Sequence, residues 1–171
     1  MATFAFAMWR QKVASDRSAA ELREEKVAHS REKALAEETL LTERRKNDQL
    51  RAHAAAIPVS VELVKLNSCV IMLREERTFT TPPGEVFKGL TNFFGARNLS
   101  GEALLLLDAA APVLAAVEGA QKLYTYLYSI SHHDTFEDRS RTWLMTNALA
   151  LAPILAEARR AVNLVKGIEG D

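Results

Sequence analysis

His132-His133-Asp134, with Glu137 and Asp138 close behind, is the densest group of metal-ligating side chains in the chain. His133 and Glu137 are four residues apart and could share one helix face, offering an imidazole nitrogen and a carboxylate to a divalent cation. His132, His133 and Glu137 are thus the candidate ligands. A competent site needs more ligands from elsewhere, however, and the sequence holds no second histidine-carboxylate cluster. His29 and His53 fall in a charged stretch, and no Glu-x-x-His pair of the kind that builds a dimetal bundle occurs. The segment reads as a solvated turn with acidic caps, and neither metal nor cofactor is expected.

The next group is aromatic. Tyr124, Tyr126 and Tyr128 lie shortly before this turn, and Phe136 and Trp143 shortly after it. If two helices close on the turn, these rings form an aromatic plug at its end. The alternative is a ligand pocket made by Tyr124, Tyr128, Phe136 and Trp143. Nucleophile motifs are absent: there is no Gly-x-Ser-x-Gly elbow, no phosphate-binding glycine loop and no dinucleotide fingerprint. The single cysteine, Cys69, sits on an apolar helix side where a thiol is inert packing. The expectation is a protein that is not an enzyme.

The apolar, aromatic start Met1-Ala-Thr-Phe-Ala-Phe-Ala-Met-Trp9 offers attachment instead. It is too short to cross about 30 Å of hydrocarbon, which takes roughly 20 residues. It also lacks the preceding positive charge of a secretory signal. Two membrane readings stand: an interfacial foot built from Phe4, Phe6 and Trp9, or the end of a truncated transmembrane helix. In the second, Arg10, Lys12 and Arg17 would keep the remainder of the chain in the cytoplasm. Against both stands packing of the segment on the protein's own core or on a copy of it.

The elements that position these residues are helical. Between Arg10 and Ala56 there is no glycine, proline or aromatic residue, and Ser15 to Arg51 carries nine acids and nine bases among strong helix formers. Roughly 36 residues of helix make a rod of about 54 Å. Val13, Ala20, Val27, Ala34 and Leu41 recur every seven residues. So thin a stripe suits weak packing on the bundle better than a two-stranded coiled coil or a solitary rod. Pro58 is expected to end this helix. Val59, Leu63, Leu66, Val70 and Leu73 then mark a second helix running to about Arg77, although Ile57, Val59, Val61 and Leu63 also alternate as in a strand.

Thr78-Phe-Thr-Thr-Pro-Pro-Gly84 is a loop, followed by a short helix from Glu85 to Phe94 that Gly95 closes. Ser100 is the expected N-cap of a buried helix running to Ser131, and Asp134 or Thr135 that of a last helix stopped by Gly167. Ala111-Pro-Val-Leu-Ala115 resembles Ala152-Pro-Ile-Leu-Ala156, so an antiparallel hairpin would hold its two interior prolines at one level and bend there.

The fold class expected is all-α: a long charged N-terminal helix, then a bundle of about four helices centred on an antiparallel hairpin 101–131/136–166. The organisation is an apolar cap at 1–9, a charged helix at 10–56 and a bundle domain at 57–171. Twenty-two basic against 22 acidic side chains give zero net charge, which removes the field that would draw nucleic acid. One cysteine fits a reducing compartment, so the cytoplasm is expected, at the inner face of a membrane if the N-terminus attaches. The function expected is a non-catalytic, membrane-proximal or assembly-forming helical interaction protein. It would be attached through Phe4, Phe6, Trp9, Arg10 and Lys12 to a protein partner, to itself or to a membrane surface. The alternatives are a small-molecule-binding or sensory bundle with its pocket near the proline-kinked hairpin, and a membrane-active helical effector.

Overall fold

The buried face that begins at Ala52 continues in phase through Ala55, Ala56, Val59, Leu63, Leu66, Val70 and Leu73, and it keeps one helix intact across Pro58. The computed structural model describes the backbone from Ala2 to Gly167 and the side chains of Lys12, Ser18 and Glu21 to Gly167. Helix α1 runs Ala2–Met72 with Pro58 inside it, which corrects the expected stop at residue 56. An interior proline costs about 3 kcal/mol. Each Leu or Val buried on this face contributes roughly 1.5–3 kcal/mol, and a break at 57 would throw the residues beyond it out of phase with those before it. Helix α1 then stops at Met72 rather than Arg77, where the Thr78 hydroxyl donates to the Met72 carbonyl at 2.6 Å.

Contacts divide the chain into two units, Met1–Asn47 and Asp48–Asp171. The second takes in the last turns of what composition alone reads as the charged helix. In the first unit, residues from Glu21 onward are exposed. Of the seven-residue stripe, Val27 and Leu41 are 50% and 54% exposed and Ala34 is exposed as well, while the side chains of Val13 and Ala20 lie outside the described residues.

The second unit continues with α2 (Pro83–Leu90), α3 (Ser100–Leu104), α4 (Ala110–Ile130) and α5 (Asp138–Val165), joined by short 3-10 turns at Glu76–Thr80, Thr91–Asn98 and Leu107–Ala109. Among the described residues there is no strand. The protein is all-α, a long N-terminal helix followed by a helical bundle. The expected helix 85–94 is shorter, because Phe94 turns into the core with a non-helical backbone (φ −96°, ψ 18°) and is fully buried.

The expected helix from Ser100 to Ser131 is broken. Ser100 is its first residue rather than its cap, and Leu105 to Ala109 interrupt it. Ala103, Leu106 and Ala109 are buried while Leu104, Leu105 and Leu107 are exposed, so this leucine run is not the all-round core element its composition suggests. The break also moves Pro112 into the first turn of α4, where its missing N–H has no intrahelical partner to lose. Of the two hairpin prolines, only Pro153 is interior to its helix.

Helices α4 and α5 pack together, with Gly119 against Leu151 and Tyr126 against Ser140, pairings that run in opposite directions along the two helices. Their inner faces are Val113, Ala116, Ala120, Leu123 and Leu127 on α4, and Leu144, Ala148, Leu151, Leu155 and Ala158 on α5. Helix α5 begins at Asp138 rather than at Asp134 or Thr135. Phe136 is buried edge-to-face against Phe79, centroids 5.0 Å apart, and the backbone at Glu137 stays extended (ψ 149°). Gly167, at φ +70°, ends α5 in the left-handed conformation that glycine adopts without strain.

Candidate interaction surface

The last six turns of α1 are apolar on two opposite faces. The inner one is the core face that starts at Ala52. At 100° per residue, Leu50, Ala54, Ile57, Val61, Val64, Ser68 and Ile71 fall on the other side of the helix, at spacings of 4, 3, 4, 3, 4 and 3. This is the a/d repeat of a coiled-coil seam, carried for three heptads. Leu50 is 70% exposed, Ile57 55%, Val61 50%, Val64 49% and Ile71 50%. Such a contiguous apolar strip differs from the singly scattered apolar residues of an ordinary surface.

The strip borders on few charges. Between Arg51 and Met72 the helix carries only Glu62 and Lys65, and the Lys65 ammonium donates to the Glu62 carboxylate at 2.7 Å. By length and composition, α1 contains a stretch apolar enough to cross a membrane, of which 39% is buried in the protein. Polar contacts tie the N-terminal half of this segment to the bundle. His53 Nδ1 lies 3.4 Å from the Val165 carbonyl oxygen, and the Lys166 ammonium lies 3.4 Å from Ser60 Oγ. Glu62 touches Gly95, whose lack of a side chain makes room for the carboxylate.

At the C-terminal end of α1 a groove of about 360 Å³ opens between Met72, the turn after it and α2. Its apolar wall is Met72, Val86 and Leu90, and its rim carries Glu75, Glu85 and Arg77. The Arg77 guanidinium donates to the Glu75 carboxylate across 2.5 Å. Cys69, one turn before the groove, is fully buried, and desolvation pushes its thiol up to about 12.

The four aromatic pocket candidates do not converge. Tyr124 and Tyr128 stack 6.5 Å apart beside Phe87, and the Arg97 guanidinium lies 3.6 Å over the Tyr124 ring. Phe136 pairs with Phe79, and Trp143 stacks on Tyr126 at 4.0 Å. Tyr126 also donates to the buried Ser140 hydroxyl at 3.2 Å. Trp143 borders a shallow groove of about 440 Å³ along α5 that includes none of the other three. The rings thus fall into three separate groups, of which only Tyr126 and Trp143 join α4 to α5.

His132 and His133 stand edge to face, ring centroids 4.5 Å apart, on the exposed turn, while Glu137 is the exposed N-cap of α5. Among the described residues no three His, Cys, Asp or Glu side chains gather as a metal site would need. Phe4, Phe6, Trp9 and Arg10 lie outside the described side chains, and Lys12 is exposed.

The outward strip is what composition overlooks. Its signal was present in the alternation Ile57, Val59, Val61, Leu63: on a helix, apolar residues at every second position populate both faces. No family model, curated protein or solved structure matches the chain.

Proposed function

We propose that the chain is a non-catalytic, assembly-forming or membrane-proximal helical protein of the cytoplasm, and that the outward strip of α1 is where it engages its partner. The exposed a/d repeat from Leu50 to Ile71 carries this reading. A helix already seated on its own core needs no second apolar face for folding, and an exposed face of that periodicity accepts another helix. The apolar N-terminus with its following Arg10 and Lys12 supports membrane proximity from the sequence side. A lone buried thiol supports a reducing compartment.

Fractionation and native mass of the full chain in a cell lysate test it. The expected result is a complex or membrane fraction, from which a Val61→Lys, Val64→Glu variant is released. A chain that runs in lysate as a free 19.0 kDa monomer, unchanged by those substitutions or by removal of residues 1–9, overturns the reading.

The groove beside Met72 favours a second reading, a small-molecule-binding bundle. Its volume lies at the small end of the range of ligand sites, with an apolar wall and a few charged groups at the rim. A thermal-shift screen of small amphipathic compounds tests this, since a compound bound only by the native state raises the melting temperature. Hits that a Val86→Trp substitution abolishes support it, and a screen without hits retires it.

A further inference from the structure

We infer that the outward strip of α1 is occupied by the same strip of a second copy of this chain, running antiparallel. The inference rests on the proposed interaction role and names the partner.

The border of the strip selects the chemistry of its occupant. The flanking positions are His53, Ser60 and Asn67 on one side and Arg51, Pro58, Lys65 and Met72 on the other. Arg51 and Lys65 are the formally charged residues among them; Arg51 stands at the N-terminal edge, and Lys65 is held by its own Glu62 at 2.7 Å. Beyond that edge a charged partner would find no free charge to pair with. An anionic membrane surface would find only Arg51 and the paired Lys65 where interfacial helices carry a row of Lys and Arg, and the opposite face of the helix is core rather than a wet polar face. A neutral apolar helix fits, and the strip is itself one. Two copies meet without like-charge repulsion at the border, and the chain's net charge of zero adds none at long range.

Side-chain size selects the direction. The repeat places Ala54, Val61 and Ser68 at a positions and Leu50, Ile57, Val64 and Ile71 at d positions. A parallel pair stacks like on like, so Ala54 would face Ala54 between the Leu50 and Ile57 layers, and Ser68 would face Ser68 between the Val64 and Ile71 layers. That leaves voids in a seam that should fill evenly. Parallel dimers also favour β-branched residues at a and Leu at d, whereas here Ile57, Val64 and Ile71 stand at d and the small Ala54 and Ser68 at a. An antiparallel pair sets a against d. With the two-fold axis between Val61 and Val64, Ala54 of one copy meets Ile71 of the other, Ile57 meets Ser68, and Val61 meets Val64. Each layer then joins one large residue to one small one, or two of middle size, and symmetry repeats the three pairings. The strip from Ala54 to Ile71 is about 27 Å long and roughly one helix wide. Its area falls below the roughly 800 Å² per partner of a tight complex, so the dimer is of the weak, concentration-dependent class.

The test uses the purified full chain. Light scattering over a concentration series is expected to show the mass rising from 19.0 kDa toward twice that value. Val61→Lys, which leaves the inner face untouched, should hold the chain monomeric while its helical circular dichroism and melting temperature match those of the diluted wild type. Cysteine pairs read the direction. Ile57→Cys with Ser68→Cys should form disulfide-linked dimers on mild oxidation, whereas either substitution alone should not, and the buried Cys69 gives no background in the unmodified chain. Efficient cross-linking by Ile57→Cys alone would show a parallel pair and overturn the geometry. A purified chain that stays monomeric at every concentration overturns the second copy as occupant, while the proposed function survives if the lysate still shows a strip-dependent complex. Sedimentation of that monomer with anionic vesicles, lost in Val61→Lys, would assign the strip to a membrane instead.

Discussion

A methyl group on Gly84 would stand 2.6 Å from the carbonyl oxygen of Ser131, so the first turn of α2 lies directly against the backbone that ends α4. The obstacle is main chain and cannot rotate away. Gly84→Ala should therefore cost about 1–3 kcal/mol, the range for overpacking a fixed contact. On α4, Gly119 faces the tip of the Leu151 side chain, which can change rotamer. Gly119→Ala should cost less than Gly84→Ala, since alanine also recovers up to about 1 kcal/mol of helix propensity. Gly89 on α2 has nothing within 4 Å, so Gly89→Ala should stabilise by up to about 1 kcal/mol. Urea denaturation of the three variants checks the order, and a Gly84→Ala protein as stable as wild type would show that α2 and α4 are not in this contact.

Leu107 is the one residue other than glycine with positive φ among the described residues, at +55°. Ala103, Leu106 and Ala109 are all buried around it, and holding them down forces the chain to reverse at the exposed position. For a branched hydrocarbon side chain the left-handed conformation costs about 1–2 kcal/mol. Leu107 is 52% exposed, so its side chain recovers little of this by burial. Leu107→Asn, which tolerates that conformation, should raise the thermal midpoint by a few degrees, about what a gain of 1 kcal/mol gives a domain of this size. Leu107→Val should lower it, because branching at Cβ makes the same φ worse.

Much of this fold was legible because its faces are periodic. Val59, Leu63, Leu66, Val70 and Leu73 follow from spacing alone, and all five are buried. Breaks inside elements were not legible. Composition marks Ala103 to Val117 as one buried helix, yet Leu104, Leu105 and Leu107 stand in solvent, because tertiary pinning of Ala103, Leu106 and Ala109 overrides the helix propensity of leucine. Pro58 misled in the other direction: a local stop signal yielded to a buried face continuous on both sides of it. For the site, the aromatic residues were visible but their partners were not. Phe79 and Phe87, which hold Phe136 and Tyr124, stand 57 and 37 residues upstream of them, and no local pattern ties them together.

Pro58 carries the next prediction. Its ring removes the N–H that would reach the carbonyl of Ala54, and the residue is exposed, so the ring itself recovers little by packing. Pro58→Ala should restore the bond at a gain of about 3 kcal/mol in the helix, less about 1 kcal/mol for the greater freedom of the unfolded chain. Denaturant midpoints should rise by the equivalent of about 2 kcal/mol. The substitution sits at the border of the outward strip, so light scattering should accompany it: a straighter, more stable helix should pair at least as well as the wild type. Unchanged stability would mean that Pro58 has already been accommodated, with the Ala54 carbonyl satisfied by water.

Cys69 predicts the alkaline limit of the fold. Burial pushes its thiol up to about 12, from an ordinary value of 9.0. The raised value means that the folded state keeps its proton where the unfolded chain has lost it. Below about pH 9 both states are protonated and the group leaves stability unchanged. Between pH 9 and 12 the unfolded chain binds fewer protons, so the free energy of unfolding falls as pH rises, by at most about 1.4 kcal/mol per pH unit from this one group. Cys69→Ala removes the thiol, at the expense of a small cavity on the inner face of α1. The variant should therefore be less stable than wild type at pH 7 and lose less stability between pH 9 and 11, so that the two denaturation curves approach each other. Reaction with a thiol reagent gives the same answer kinetically: native Cys69 should stay unmodified at pH 8 and react at once in denaturant. Rapid labelling of the native protein would place the thiol at an accessible surface and remove the cause assigned to its shift.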